Sequence, residues 1–82
     1  MSWRKVTSLD TPFSATTGRD FEVVIEGEQR TDGTWGGRVA FVDGAKSRRT
    51  GQETSQPNRE ALEYWATGLE AVYLEGALAR AR

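Results

Sequence analysis

Apolar residues recur at helical spacing through the last third of the chain, from Pro57 to Arg82. With about 100° between successive residues, most of the bulky apolar side chains fall on one side of a helix. That side consists of Leu62, Trp65, Leu69, Val72, Tyr73 and Gly76. Pro57 suits the first helical turn, because its missing N–H is not needed there. The pattern therefore predicts one long amphipathic helix over residues 57–81.

Two glycines, Gly68 and Gly76, lie inside this predicted helix. Each costs about 1 kcal/mol relative to alanine in a helix interior. Gly76 is on the apolar side, where a missing side chain would let the helix approach the sheet closely. Local flexibility near the end of the helix is the alternative.

Apolar and polar residues alternate from Arg19 to Glu28 and again from Thr34 to Val42. Alternation with a period of two predicts strands that bury one face. A third run, Ala45 to Gly51, follows a tight turn at Asp43-Gly44 and is rich in lysine and arginine. The predicted fold class is therefore α+β, with a three-stranded antiparallel meander sheet over residues 19–51 and one long C-terminal helix packed on one face.

The apolar faces of the first two strands also predict how these strands pair. A two-residue turn would place apolar residues of the second strand on the charged side of the sheet. A three-residue loop that ends in Gly33 instead pairs Ile25 with Val39 and Glu26 with Arg38. Register follows the buried face, so we predict the three-residue loop, with Gly33 in the left-handed conformation.

The helix and the sheet carry the two sizeable apolar faces of the chain, which are expected to form the core. The predicted contacts join Trp65, Leu69 and Val72 to Val23, Ile25, Val39 and Phe41. Gly36 and Gly37 interrupt the second strand, which indicates either a bulge or a close approach of another backbone segment. Residues 1–18 are less defined: residues 1–9 fit a short strand or a turn of helix, and residues 11–18 are typical of a loop.

Composition narrows the classes of function. The chain has 82 residues, enough for one domain, and contains neither cysteine nor histidine. Without cysteine there are no disulfides, which fits a reducing cytoplasm, and without histidine the commonest metal ligand and general base are missing. The net charge of −1 gives no global attraction for nucleic acid, and no apolar run reaches membrane-spanning length. We expect a cytoplasmic protein with no catalytic residue, metal, cofactor or membrane contact.

Lys46, Arg48 and Arg49 form the one basic cluster of the sequence, and Arg59 joins it loosely at the start of the helix. Such a cluster suits a nucleic-acid backbone or an acidic partner. The alternative is an edge strand whose charges repel pairing with other chains. The sequence indicates no exposed aromatic residue beside the cluster for base stacking, which weakens the nucleic-acid interpretation.

Tyr64, Ala71, Leu74 and Leu78 fall together on the side of the predicted helix opposite the core. A helix that lies on a single small sheet is normally polar there, so a contiguous apolar strip predicts a protein interface. Their nearly heptad spacing suits packing against a second helix, for example in a two-fold homodimer. The alternative is that residues 1–18 fold back over this strip.

The stretch from Phe21 to Leu78 resembles a HicB-type antitoxin domain, a partial RNase-H-like β-β-β-α unit. The similarity lies in residues 21–26, in residues 38–44, and in Gly51, Thr54, residues 59–62, Leu69, Tyr73 and Leu74. Two features depart from that family, because the proline-rich segment after the second strand and the C-terminal DNA-binding module are both missing. The resemblance implies binding to a small toxin or another protein, together with self-association, and it implies no catalysis.

These observations favour a non-enzymatic interaction module that self-associates or binds a partner protein. The alternative is a nucleic-acid-binding domain that uses the basic third strand. The two differ in salt dependence, because phosphate binding weakens steeply with salt whereas an apolar interface hardly does.

Overall fold

The computed structural model describes residues 2–82, which form a sheet of short and long strands covered on one face by two helices. The strands are β1 (Arg4–Ser8), β2 (Phe13–Ser14), β3 (Asp20–Gln29), β4 (Trp35–Asp43), β5 (Lys46–Arg49) and β6 (Thr54–Gln56). The helices are α1 (Arg59–Thr67) and α2 (Ala71–Arg80).

All strand pairings are antiparallel, and the main path across the sheet runs β1-β3-β4-β5. β2 pairs with the beginning of β3, and β6 pairs with the beginning of β4. The predicted meander is present as β3, β4 and β5, and the α+β class is confirmed. The prediction of only three strands is wrong, because β1, β2 and β6 extend the sheet on both sides. The open choice for residues 1–9 is settled as a strand over Arg4–Ser8.

The predicted register of the central hairpin is confirmed. Ile25 lies opposite Val39 and Glu26 lies opposite Arg38. The Arg38 Nε donates to a Glu26 carboxylate oxygen at 2.8 Å, as expected for a cross-strand pair of opposite charge. Gly33 has a φ of +90°, the left-handed conformation that a glycine adopts without a steric penalty.

The prediction of one long helix is wrong, because the chain leaves the helical path between α1 and α2. Asn58 caps the start of α1, where its side-chain oxygen accepts from the Ala61 N–H at 2.8 Å. α1 ends at Gly68, a residue that tolerates non-helical backbone at little cost. Glu70 is extended, with φ −110° and ψ 165°, and α2 begins after it.

This break changes which residues of the last third face the core. In α2 the buried residues are Leu74, Ala77 and Leu78, and Ala81 follows them. These residues recur at the helical period within α2. Because the backbone is extended at Glu70, the apolar stripe of α2 does not continue that of α1. Val72, which one continuous helix would bury, is 80% exposed.

The centre of the core is Leu62, which is fully buried against a pair of glycines. Gly27 and Gly37 lie opposite each other on β3 and β4. A Cβ added to Gly27 would lie 2.8 Å from a Leu62 methyl carbon, and one added to Gly37 would also clash with Leu62. β3 and β4 pair without a bulge, so that alternative for Gly36 and Gly37 is wrong; the close approach at Gly37 is made by the side chains of Leu62 and Thr54 and not by a backbone segment.

The other core predictions are confirmed only in part. Val23, Ile25, Val39 and Phe41 are all fully buried, as predicted for the sheet side. On the helix side, Trp65 and Leu69 are partly buried and pack against the core, whereas Val72 does not. The close approach expected at Gly76 is wrong, because an added Cβ would meet only the Arg80 side chain, at 3.4 Å.

Candidate interaction surfaces

The four residues of the predicted interface strip do not share one surface. Tyr64 is 80% exposed and Ala71 is exposed, but Leu74 and Leu78 are only 4% and 9% exposed. Leu74 lies beside residues 9–14, and the Thr16 N–H donates to the Glu75 carboxylate at 2.6 Å. The N-terminal segment therefore covers this side of α2. Leu74 and Leu78 are not available to a partner in this fold, because the break after α1 turned them into core residues.

The predicted basic cluster is also divided among separate surfaces. Successive side chains of β5 point to opposite faces of the sheet, so Arg49 lies on the face away from Lys46 and Arg48. There the Arg49 Nε donates to Glu26 at 3.0 Å. Arg59 begins α1, near the other end of the hairpin. The four residues therefore do not form the continuous patch that the sequence suggested.

Glu26 is a carboxylate on the helix-free face of the sheet that pairs with two arginines. It accepts hydrogen bonds from both Arg38 and Arg49. Burial alone would raise the pKa of Glu26, but the hydrogen bonds and charges of the two arginines outweigh it and lower the pKa. Arg49 is thus already paired, which makes it a poor phosphate contact.

Lys46 and Arg48 line a groove of about 510 Å³ between β5, the start of β3 and the end of α2. The edge groove, as we call it, is lined by Thr17, Arg19, Phe21, Phe41, Asp43, Lys46, Ser47, Arg48 and Leu78. Phe21 and Phe41 meet edge to face at its base, with ring centroids 5.9 Å apart. The base is therefore part of the core, and the rim is made of long polar side chains.

The rim of the edge groove carries more positive than negative charge. Arg19, Lys46 and Arg48 face one carboxylate, Asp43, which lies 3.8 Å from Arg19. Within the described residues, Lys46 has no carboxylate within ion-pair distance. Arg48 donates to the Ala81 carbonyl oxygen at 3.1 Å and so stabilises the end of α2. Lys46 is thus the cation of the rim most available to a partner.

β5 is an edge strand beside this groove, and its outer hydrogen-bonding groups are only partly used. Arg49 exchanges two backbone hydrogen bonds with Arg82, each 2.9 Å long. Ser47, two residues earlier, points its N–H and C=O in the same outward direction. No backbone partner for these Ser47 groups is present among residues 2–82. The edge is therefore open at the groove.

A second positively charged cavity, of about 480 Å³, lies at the opposite end of the β3–β4 hairpin. It is lined by Ser2, Arg4, Gln29, Arg30, Trp35 and Arg59, and we call it the arginine cleft. Sequence reasoning missed this cleft, because its three arginines come from the N-terminal segment, the hairpin loop and α1. Trp35 also packs against the core, as its position on the buried face of β4 predicts.

Glu53, Tyr73 and Arg80 form a third cluster, which joins α2 to the segment before β6. Tyr73 and Arg80 both donate to the Glu53 carboxylate, the latter at 2.7 Å. Burial alone would raise the pKa of Glu53, but these hydrogen bonds outweigh it and lower the pKa. Burial, together with the hydrogen bond and charge of Glu53, raises the pKa of Tyr73 to about 12. The hydrogen bonds of these three groups are made within the cluster, so we interpret it as a structural clamp that holds α2 to the segment before β6.

Neither a cluster of metal-ligating side chains nor a membrane-spanning helix is found among the described residues. Between residues 2 and 82, no three metal-ligating side chains come together closely enough to hold an ion. Neither of the two described helices has the length and apolar character needed to cross a membrane.

Comparison of the chain with protein-family models, curated proteins and solved structures finds no match. The resemblance to HicB-type antitoxin domains therefore stays a prediction.

Proposed function

We propose that this protein is a non-enzymatic interaction module that binds a short acidic segment of a partner protein in the edge groove. The observation that carries the proposal is the combination of an open strand edge at Ser47 with the unpaired Lys46 on the rim. A partner that approaches this edge meets free backbone hydrogen-bonding groups and an excess of positive charge at the same place.

An extended peptide suits this surface better than a globular partner does. Strand addition uses main-chain hydrogen bonds for affinity and pockets beneath alternate side chains for specificity. At the edge groove, the Ser47 N–H and C=O supply one pair of such bonds. An apolar peptide side chain then lies over Phe21 and Phe41, and acidic neighbours face Lys46 and Arg19.

Arg82 limits the length of that contact. It already occupies the outer edge of β5 at Arg49, so an added strand has room only on the Lys46 side of this residue. A short contact of this kind gives a weak, exchangeable complex, with a Kd on the order of micromolar or higher.

The chemistry of the groove supports binding rather than catalysis. Its carboxylate, Asp43, is 3.8 Å from Arg19, and the Ser47 hydroxyl accepts a hydrogen bond from Arg49 at 2.8 Å. No general base stands beside that hydroxyl among the described hydrogen bonds, and a nucleophilic serine requires one. If the HicB-type resemblance holds, the partner would be a small toxin, and we assign its contact to the edge groove.

Self-association has less support than partner binding. The strip that motivated a homodimer is divided by the burial of Leu74 and Leu78. The alternative of nucleic-acid binding by the third strand also has less support, because Arg49 is paired with Glu26. A solution mass measured by light scattering distinguishes self-association from partner binding. We expect the protein to be a monomer in the absence of a partner.

The proposal is tested with labelled peptides of about ten residues, measured by fluorescence anisotropy. One peptide alternates glutamate with leucine, and its counterpart carries lysine in place of glutamate. We expect the acidic peptide to bind and Lys46→Glu to weaken it roughly tenfold or more, which is about 1.4 kcal/mol. Lys5→Glu makes the same change of charge outside the groove and is the control. Equal weakening by both variants, or equal binding of the lysine peptide, would contradict the proposal.

A further inference from the structure

The arginine cleft is a second site, which the proposed function does not use. It lies where β3 ends and β4 begins, whereas the edge groove lies where β3 begins and β4 ends. Eight residues separate Phe21 from Gln29 along β3, a distance of about 26 Å in an extended strand. A ligand in one cavity therefore does not touch the other.

The lining of the cleft is positive, although the whole chain is not. Arg4, Arg30 and Arg59 line it and no carboxylate does, although Arg30 forms an ion pair with Glu28 just outside the lining. Within residues 2–82, Arg4 has no carboxylate within ion-pair distance, and Arg59 has only Glu63, at 3.4 Å on the solvent side of α1. Because the net charge of the chain is −1, this is a local concentration of charge rather than a property of the whole surface.

Arg30 is held in position before any ligand arrives. Its guanidinium donates to both Glu28 and Gln52, and it lies 5.4 Å from the centre of the Trp3 ring. Glu28 is only 9% exposed, so the ion pair of Arg30 with Glu28 is held near the end of β3 rather than free on the surface. Arg30 therefore shapes the wall of the cleft, but like Arg49 it is already paired and is a poor phosphate contact.

Two further features of the cleft indicate a ligand larger than an inorganic anion. Trp35 lies in the wall and is only partly buried, so it offers an aromatic surface beside the arginines. Ser2 and Gln29 add hydrogen-bonding groups to the same wall. Base stacking on an aromatic ring beside phosphate-binding cations is the usual arrangement in proteins that bind single-stranded nucleic acid.

We propose that the arginine cleft binds single-stranded nucleic acid, with one nucleotide in the cleft, its base against Trp35 and its flanking phosphates on Arg4 and Arg59. A volume of about 480 Å³ is within the range of small-ligand pockets and holds one nucleotide rather than several. The strand then continues in both directions over the exposed side chains of Arg4 and Arg59.

The experiment measures the binding of fluorescein-labelled oligothymidylate and oligouridylate of roughly ten nucleotides by anisotropy, over a range of salt concentrations. With about two phosphate contacts, the slope of log K against log salt should be near −1.4, since single strands give about −0.7 for each neutralised phosphate. The variant Arg4→Ala with Arg59→Ala should bring the slope close to zero, a change of about 1.4, and weaken binding at least tenfold.

The matched control is Arg19→Ala with Lys46→Ala, which removes the same charge at the edge groove. At about 0.1 M salt it should leave the oligonucleotide affinity within about twofold, because the Debye length is then about 10 Å and the two cavities are farther apart than that. Trp35→Phe should weaken binding by less than the loss of the two arginines, because it keeps an aromatic ring in the wall. Circular dichroism confirms that each variant is folded.

Three results would overturn the proposal. The first is no binding of either oligonucleotide by the wild type at low salt. The second is equal weakening by the two double variants, which would indicate unspecific attraction. The third is equal affinity for uridine monophosphate and for the oligonucleotide, which would assign the cleft to a free nucleotide instead of a strand. Because the peptide experiment uses the other cavity, it can fail or succeed independently of these results.

Discussion

The contact between Leu62 and the glycine pair gives the sharpest prediction about the fold. Gly37→Ala places a methyl group where Leu62 now packs, and its Cβ also lies 2.9 Å from a Thr54 methyl carbon. Distances below 3 Å require a neighbour to move, and Leu62 is fully buried between α1 and the two glycines. We expect Gly37→Ala to lower the free energy of unfolding by about 1–3 kcal/mol, as overpacked core variants do.

The sign of this effect should depend on Leu62. Leu62→Ala alone should cost about 2–5 kcal/mol, because it leaves a cavity above the two glycines. In that background the methyl group of Gly37→Ala fills part of the cavity, and alanine also restricts the unfolded chain by about 0.4–1 kcal/mol. Gly37→Ala should therefore be nearly neutral or stabilising once Leu62 has been shortened.

Urea denaturation followed by circular dichroism measures all four proteins of this cycle, with Gly51→Ala as the control. Gly51 has no positive φ, and its added Cβ would meet nothing within 4 Å. Its substitution should change stability by less than about 1 kcal/mol. If Leu62→Ala leaves too little folded protein, Leu62→Val allows the same comparison. Equal costs of Gly37→Ala in both backgrounds, within about 0.5 kcal/mol, would refute the contact.

Two further predictions concern the hairpin loop and the clamp on α2. Gly33→Ala should cost roughly 1 kcal/mol in urea denaturation through its φ of +90° alone, because its added Cβ has open space; a cost equal to that of Gly51→Ala would contradict this. The lowered pKa of Glu53 stabilises the fold above the ordinary value of 4.5, so acid should lower the melting temperature of wild type more than that of Glu53→Gln. The raised pKa of Tyr73, about 12, gives stability that is lost as pH rises above 10.0, and Tyr73→Phe should lack this loss. Parallel pH profiles of wild type and these variants would show that the clamp does not contribute.

The central hairpin could be predicted from the sequence because a period-two pattern leaves little freedom. Shifting the register by one residue would expose Val39 and Phe41, which are fully buried, so burial alone selects the pairing. The short strands β2 and β6 carry no such signal. β6 is Thr54–Gln56, with no apolar residue, and its pairing with β4 depends on the fold around it.

The error in the helix has a different cause. The segments on both sides of Gly68 have helical periods, and a continuous helix through both gives an apparently consistent apolar side. The extended backbone at Glu70 interrupts the helix, so the apolar residues of the second segment do not lie on the same side as those of the first. The predicted interface strip is wrong for this reason, because α2 turns Leu74 and Leu78 inward.

A charged surface could be predicted only where the residues that form it are close together in the sequence. Lys46 and Arg48 belong to one short strand and do line one groove. Arg4, Arg30 and Arg59 meet only because β1 and α1 both pack beside the end of the hairpin. A pattern along the chain cannot show a cluster that the tertiary fold assembles.

Chemical-shift mapping by NMR tests the proposed function most directly. Labelled protein is titrated with the glutamate–leucine peptide, and amide signals are followed over the whole chain. Binding in the edge groove predicts the largest shifts at Lys46 and Ser47 and in the segment before β3, with the arginine cleft unchanged. Largest shifts around the exposed Tyr64 and Val72, or no residue-specific shifts at saturating peptide, would contradict the account.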